Sequence, residues 1–417
     1  MNIDFQRRVD RQVGSIICRL LSWLPHTRRQ PPAGRRPQKI LVILLSEMGS
    51  LVLASPMFER LKQKNPAALL YALVFTQNQE VLRLVSAMPQ ARIFTIRNSS
   101  LRHLAEDSLR TLKAIRAEGI DTVIDCELFS RISSIYSFLS GAAVRVGFHR
   151  HTQEGLYRGD FINCPVLYNP YLHVAHQFIN LAEALESRGY PSVKRPVDTE
   201  LFVPRCQVAD DEIHAMSHRL AADFPAVSGK RLVLVYPGGG LLPIRAWPLA
   251  SFFKLVDALI LNGCAVGVIG MKGDKEIAQS ILKHCSSPNC LDLTGYTRTV
   301  RELIVLFHLS SLLVTNDGGP SHFASMTPIP SITFFGPETP ALYGPLGRNA
   351  EVFYTSLSCS PCVTAYNHRK SPCDGDNICL KLVKPDAVLQ KAMEMLARFA
   401  PASTLVEKPE ITSPNGR

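Results

Sequence analysis

"RLVLVYPGGG", residues 231–240, is an apolar run that ends in three glycines, and it restarts a rhythm the chain has already run once. The run from Leu232 to Tyr236 reads as a buried strand, and glycines at its end let backbone approach a neighbour or a ligand closely. Downstream, "CAVGVIG" (264–270), "CLDL" (290–293), "SLLVTN" (311–316) and "SITFFG" (331–336) repeat the pattern, with helical spacing between them. Upstream, "KILVILL" (39–45), "LLYALVF" (69–75), "RIFTI" (92–96) and "DTVIDC" (121–126) do the same. Strands alternating with helices build parallel, doubly wound sheets, so two such runs predict two α/β domains in tandem.

The break between the runs falls in "PSVKRPVDTELFVPRCQ" (191–207), where prolines and charges replace periodicity. This predicts one domain over 39–205 and a second over 206–400, closed by the helix "KPDAVLQKAMEMLARFA" (384–400). The polar tail 401–417 has little to bury and reads as disordered.

Residues 1–38 form a separate segment. Of the net charge of +11, they carry +6, from eight arginines against Asp4 and Asp10. "DRQVGSIICRLLSWLP" (10–25) sets Val13, Ile16, Ile17, Leu20, Leu21 and Leu24 at helical spacing, a composition suited to lying in a headgroup layer. Packing on the body of the protein is the alternative, and Arg19 inside the apolar run argues against a secretory signal peptide. "PHTRRQPPAGRRPQ" (25–38) reads as an exposed basic linker. No stretch reaches the roughly 20 apolar residues of a membrane span; "LIVLFHLSSLLV" (303–314) is short and carries His308 and two serines. Eleven cysteines, with Cys126 and Cys264 in or beside core-like runs, suggest a reducing compartment. The expected location is therefore cytoplasmic, peripheral at the inner face of the cytoplasmic membrane.

Open α/β sheets bind ligands beyond the carboxyl ends of their strands, so the loops there are the candidates. In "LLVTNDGGPSHFAS" (312–325) a strand ends at Asn316 and a helix starts near Pro320. Asp317 suits a helix cap, Gly318 and Gly319 admit close backbone approach, and His322 falls in the first turn, an arrangement that favours a phosphate. In "YPGGGLLPIRAWP" (236–248), Gly238, Gly239 and Gly240 lead to Arg245, whose guanidinium matches a diphosphate, while Trp247 reads as a core anchor. After the next strand, Asp274 or Glu276 offers a carboxylate to ribose hydroxyls, or equally a first-turn helix charge. No "GxxxxGK" or "GxGxxG" is present, which weakens kinase, ATPase and dehydrogenase readings.

"NDGGPSHFA", "PGGG…IRAWP", "LTGYTRTVREL" (293–303) and "FFGPETPALYGP" (334–345), in the motif order of a donor domain, resemble glycosyltransferase family 9, the heptosyltransferases of lipopolysaccharide core assembly. The N-terminal half resembles it more loosely through "ILVILLSEMGSLVLASPMFERLKQKNP" and "LSGAAVRVGF", and the likeness runs from 39 to about 399. It implies a GT-B fold of two facing Rossmann-like domains, the first binding a lipid-linked glycan acceptor and the second a nucleotide sugar such as ADP-heptose. It also implies inversion without a metal or other cofactor. Asp317, Gly318, Gly319 and His322 match the family's diphosphate loop, and Arg245 stands where it has lysine or arginine.

The sequence departs from the family at its opening turn, where Ser50 occupies the position of the aspartate used as general base. A serine at neutral pH cannot take the acceptor hydroxyl's proton unaided. Glu47, three residues earlier, is the expected substitute, with a helix-start charge as the alternative reading, and Asp125 is the other carboxylate expected at the ligand edge. A relative that has lost catalysis and serves as a binding or scaffold protein remains the competing reading.

"CSPCVTAYNHRKSPCDGDNIC" (359–379) spaces Cys359, Cys362, Cys373 and Cys379 in a pattern that invites a structural zinc, with His368 between. The five-residue gap before Cys379 argues against it. A nucleic-acid partner is not expected, because the excess charge sits largely in the N-terminal segment and no reader motif is present.

Overall fold

The computed structural model describes residues 7–24, 36–45, 47–86, 88–149, 157–187, 191–194, 201, 203–367 and 370–399. Most of the basic linker, the 401–417 tail, Ser46 and His368 lie outside them. The chain divides into two compact units. One runs to Pro204 and takes in 341–343 and 365–369, and the other comprises the remainder from Arg205.

The first unit holds β1 (Lys39–Ile43), β2 (Leu69–Phe75), β3 (Ile93–Ile96), β4 (Thr122–Asp125), β5 (Val144–Phe148) and β6 (Cys164–Val166). They pair in parallel in the order β3-β2-β1-β4-β5-β6. The second unit holds β7 (Leu232–Tyr236), β8 (Ala265–Gly270), β9 (Cys290–Thr294), β10 (Leu312–Asn316), β11 (Ser331–Phe335) and β12 (Ala350–Tyr354), in the order β12-β11-β10-β7-β8-β9. The topologies are the same: three strands wind outward, then the chain returns to the first strand and winds the other way. Each sheet therefore has one switch point, between β1 and β4 in the first unit and between β7 and β10 in the second.

Both faces of the central strands are covered, so their side chains are buried without alternation; β7 and β10 are buried at every position. In the second unit Trp247 fills the space between sheet and helices. It stacks on Phe334 at 4.5 Å and donates from Nε1 to the Val383 carbonyl, as a core anchor should. In the first unit Leu41, Ile43, Leu73 and Val123 meet Ile115 and Tyr136 from the helices.

Residues 7–22 of the N-terminal segment are helical and dock on the first unit, and Cys18 is fully buried with Phe161 and Ile162. The packing alternative therefore holds for its inner face, while Val13, Ile16, Leu20 and Trp23 on the other face remain exposed. Among the described residues no helix is long and apolar enough to cross a membrane.

Candidate functional site

At the β7/β10 switch point the loops "PGGG" and "NDGG" lie side by side, because Tyr236 and Thr315 are register partners. Asn316, fully buried, ties them: its Nδ2 donates to the carbonyls of Pro237 (2.9 Å) and Gly238 (3.0 Å), and its Oδ1 accepts from the Trp247 amide (2.9 Å). The glycines are demanded by this packing. A Cβ on Gly239 would fall 2.7 Å from the Pro243 backbone, and Gly240 has φ +59°. Gly318 differs: apart from its two chain neighbours, nothing among the described residues lies within 4 Å of where its Cβ would be, so the fold leaves room above it.

Two expectations change here. Asp317 does not cap the following helix, Gly319–Ala324, whose N-cap is Gly318 with no side-chain bond. Its carboxylate turns to Arg245 instead, 3.5 Å from Nε, while Arg245 Nη2 lies 2.8 Å from Glu338. Arg245 is thus a buried brace linking the loops after β7, β10 and β11, and its charge is already offset by two carboxylates. A guanidinium so held does not stand open to a diphosphate. His322 lies in the 319–324 helix and is buried.

Asp274 reaches the same edge from the loop after β8, and its Oδ1 would lie 2.9 Å from a Cβ on Gly238. Its Oδ2 accepts from the Met271 amide at 2.8 Å, the helix-start role, and Glu276 is exposed in the first turn of the helix Lys275–Cys285. Burial first, then the Asp274 charge, push the Tyr236 phenol up to about 12, so it stays protonated.

At the β1/β4 switch point Glu47 is the N-cap residue of the short helix Met48–Leu53, without a side-chain cap bond, and Ser50 sits in its first turn. Glu127, which the sequence reading passed over, accepts from the Leu45 amide at 2.6 Å and so supports the turn that carries Glu47. Asp125 does not face a ligand: it is fully buried and paired with Arg158, itself fully buried. Ser133 Oγ and the Glu127 amide donate to the same carboxylate, both at 3.1 Å. Burial pushes this carboxyl up while Arg158 pulls it back, and an acceptor hydroxyl has no access to it.

Known proteins now place the chain. The model of glycosyltransferase family 9 (heptosyltransferase) matches residues 108–371. The chain belongs to glycosyltransferase family 9. It is similar to lipooligosaccharide heptosyltransferase 2 of Haemophilus ducreyi, 25% identical over 320 residues, covering 75% of this chain and 88% of that protein. It is similar also to lipopolysaccharide heptosyltransferase 2 of Salmonella typhimurium, 24% identical over 325 residues, with 75% and 87% covered. Among solved structures, Escherichia coli ADP-heptose LPS heptosyltransferase II superposes with a TM-score of 0.67 at 20% identity, over 87% of this chain and 99% of that one. Escherichia coli heptosyltransferase WaaC with ADP gives 0.60 at 17% identity, over 86% and 100%. The fold of this family 9 glycosyltransferase is accordingly GT-B.

The cysteines of 359–379 are free thiols in this family 9 chain, Cys379 buried and Cys359 and Cys373 exposed. Among the described residues no group of three or more His, Cys, Asp or Glu side chains is disposed to hold a metal.

Proposed function

We propose that this enzyme transfers heptose from ADP-heptose to a lipid-linked glycan such as lipopolysaccharide core, with inversion and without a metal, at the inner face of the cytoplasmic membrane. The observation that carries this is the β7/β10 edge, where Asn316 ties two glycine loops with open space above Gly318, in a chain whose relatives are heptosyltransferases. In the proposed reaction the acceptor oxygen bonds to the sugar's anomeric carbon as the bond from that carbon to the diphosphate oxygen breaks. ADP departs, and the hydroxyl proton passes to a carboxylate. We assign the diphosphate to Gly238, Gly239, Gly240, Gly318, Gly319 and His322, held in place by the Arg245, Asp317 and Glu338 brace. Asp274 and Glu276 serve the ribose side, because they follow the neighbouring strand β8.

Glu47 is the proton acceptor in this reading: it begins the helix that carries Ser50, on the unit that does not hold the donor loops. Nucleoside diphosphate release is to be measured with ADP-, UDP- and GDP-sugars and truncated core glycolipid, for wild type and Glu47→Gln. The expected result is acceptor-dependent ADP release from ADP-heptose that falls by roughly 10²–10⁴ in the variant with donor affinity unchanged. Equal turnover in the variant removes Glu47 from the mechanism. Release from another nucleotide sugar replaces the donor, and donor binding without turnover on any acceptor makes the chain a binding protein.

A further inference from the structure

The N-terminal helix has two faces of opposite character, and the proposed transfer uses neither. Its inner face is fixed by specific contacts. Asp10 accepts from the backbone amides of Arg131 (2.9 Å) and Ile132 (2.8 Å), so a residue from the start of the chain caps the helix Arg131–Leu139. Gly14 packs so closely that a Cβ there would fall 2.9 Å from Cβ of Arg131. Ser22 Oγ shares a hydrogen bond with the Tyr157 hydroxyl (3.0 Å) and accepts from the Asp160 amide (2.9 Å).

The outer face is apolar: Val13, Ile16, Ile17, Leu20, Trp23 and Leu24 recur at three- and four-residue spacing and are all exposed, Trp23 by 82%. A stripe this large on a fixed helix marks an interaction surface. Arg8, Arg11 and Arg19 are exposed on the same helix, and its one acid in the described residues, Asp10, is committed to the inner face. The charge decides between occupants. Two copies meeting through this face would set arginines against arginines, whereas an anionic bilayer offers acyl chains to the stripe and phosphates to the guanidinium groups.

We propose that the helix over 7–22, with the turn at Trp23 and Leu24 that follows it, is a rigidly docked interfacial element that seats the first unit on an anionic lipid surface. This extends the reading of a lipid-linked acceptor, and it is tested without any transfer assay. The full-length protein is mixed with vesicles of phosphatidylcholine alone or containing phosphatidylglycerol, and bound protein is measured by co-sedimentation. The chain has two tryptophans and Trp247 is buried in the core, so a blue shift of emission on vesicle addition reports Trp23.

Binding and a blue shift on the anionic vesicles are expected. Ile16→Glu with Leu20→Glu should abolish both, at an unchanged melting temperature because both side chains are exposed. Neutralising Arg8, Arg11 and Arg19 to Gln should weaken binding by about 100-fold, at roughly 1 kcal/mol for each charge. The proposal is overturned by no binding to anionic vesicles, by equal binding to neutral ones, or by wild-type binding of the Glu variant. It is overturned too if light scattering shows a dimer that the Glu variant dissociates while vesicles bind neither protein, which would give the stripe to a second copy. Loss of ADP release with intact vesicle binding would strike the transferase reading alone.

Discussion

The two sheets share one topology, yet their switch points are built differently. At β7/β10 the loops are tied to each other: Asn316 reaches two carbonyls and an amide, and Arg245 joins Asp317 to Glu338. At β1/β4 the ties run inward instead. Asp125 and Arg158 are sealed beneath the edge, and the turn carrying Glu47 is supported by Glu127 through the Leu45 amide. The same strand order thus yields one edge whose loop geometry is set by its own polar groups and another that rests on a buried ion pair. Pre-set geometry suits a ligand of fixed shape, such as a diphosphate, because little ordering remains when it binds.

The largest effect should come from breaking the foundation of the first edge. Arg158→Met leaves the Asp125 charge buried without its partner and should cost about 3–5 kcal/mol in chemical denaturation, with Asp125→Asn in the same chain restoring much of it. If the single variant is as stable as wild type, the ion pair is not what supports β1/β4. Next, Asn316→Leu in the second edge strips partners from the Trp247 amide and the Pro237 and Gly238 carbonyls. A loss of about 1–3 kcal/mol for each buried group left unsatisfied is the upper scale, together with weakened donor binding. Donor affinity that survives this change would show that the loops hold their geometry without the tie.

Gly318→Ala sharpens the contrast between architecture and ligand. The backbone there is extended and the space is open, so stability should stay within about 0.5 kcal/mol while donor affinity falls about tenfold. Unchanged affinity in calorimetry would place the donor elsewhere. The smallest effect concerns acid. Bonding to Arg301 lowers the Glu212 carboxyl to about 2, so its stabilisation of the second unit is complete above the ordinary carboxylate value and drains away as pH falls toward 2. The pair is a third exposed, which limits the effect to below about 1 kcal/mol, so Glu212→Gln should flatten the acid limb of stability slightly. Asp107, buried and held low first by Arg97, should flatten it more in the first unit when changed to Asn.

Parallel strands buried on both faces write themselves as continuous apolar runs, which is why β1, β2, β4, β7, β8, β10 and β11 were legible; the edge strands β3 and β9, only partly buried, still carry short apolar runs. β6 has three residues with Pro165 at its centre, and β12 is half-buried throughout, so neither leaves such a run. The glycine loops were legible for the same reason, since each follows a strand. What was not legible is the partner of each charge. Asp125 looks like a ligand-facing carboxylate until Arg158 arrives from beyond β5, and Arg245 looks open until Glu338 closes on it. Asn316 did carry a signal: an amide at the end of a fully apolar strand must find partners when buried.

The cap that Asp10 places on a helix more than a hundred residues away has a consequence for synthesis. The helix that carries Asp10 and Ser22 cannot be seated until Arg131 and then Asp160 have been made. At roughly 5–20 residues per second that wait is on the order of ten seconds. For that interval both faces of the helix are uncovered, Cys18 and Leu21 as well as Ile16 and Trp23.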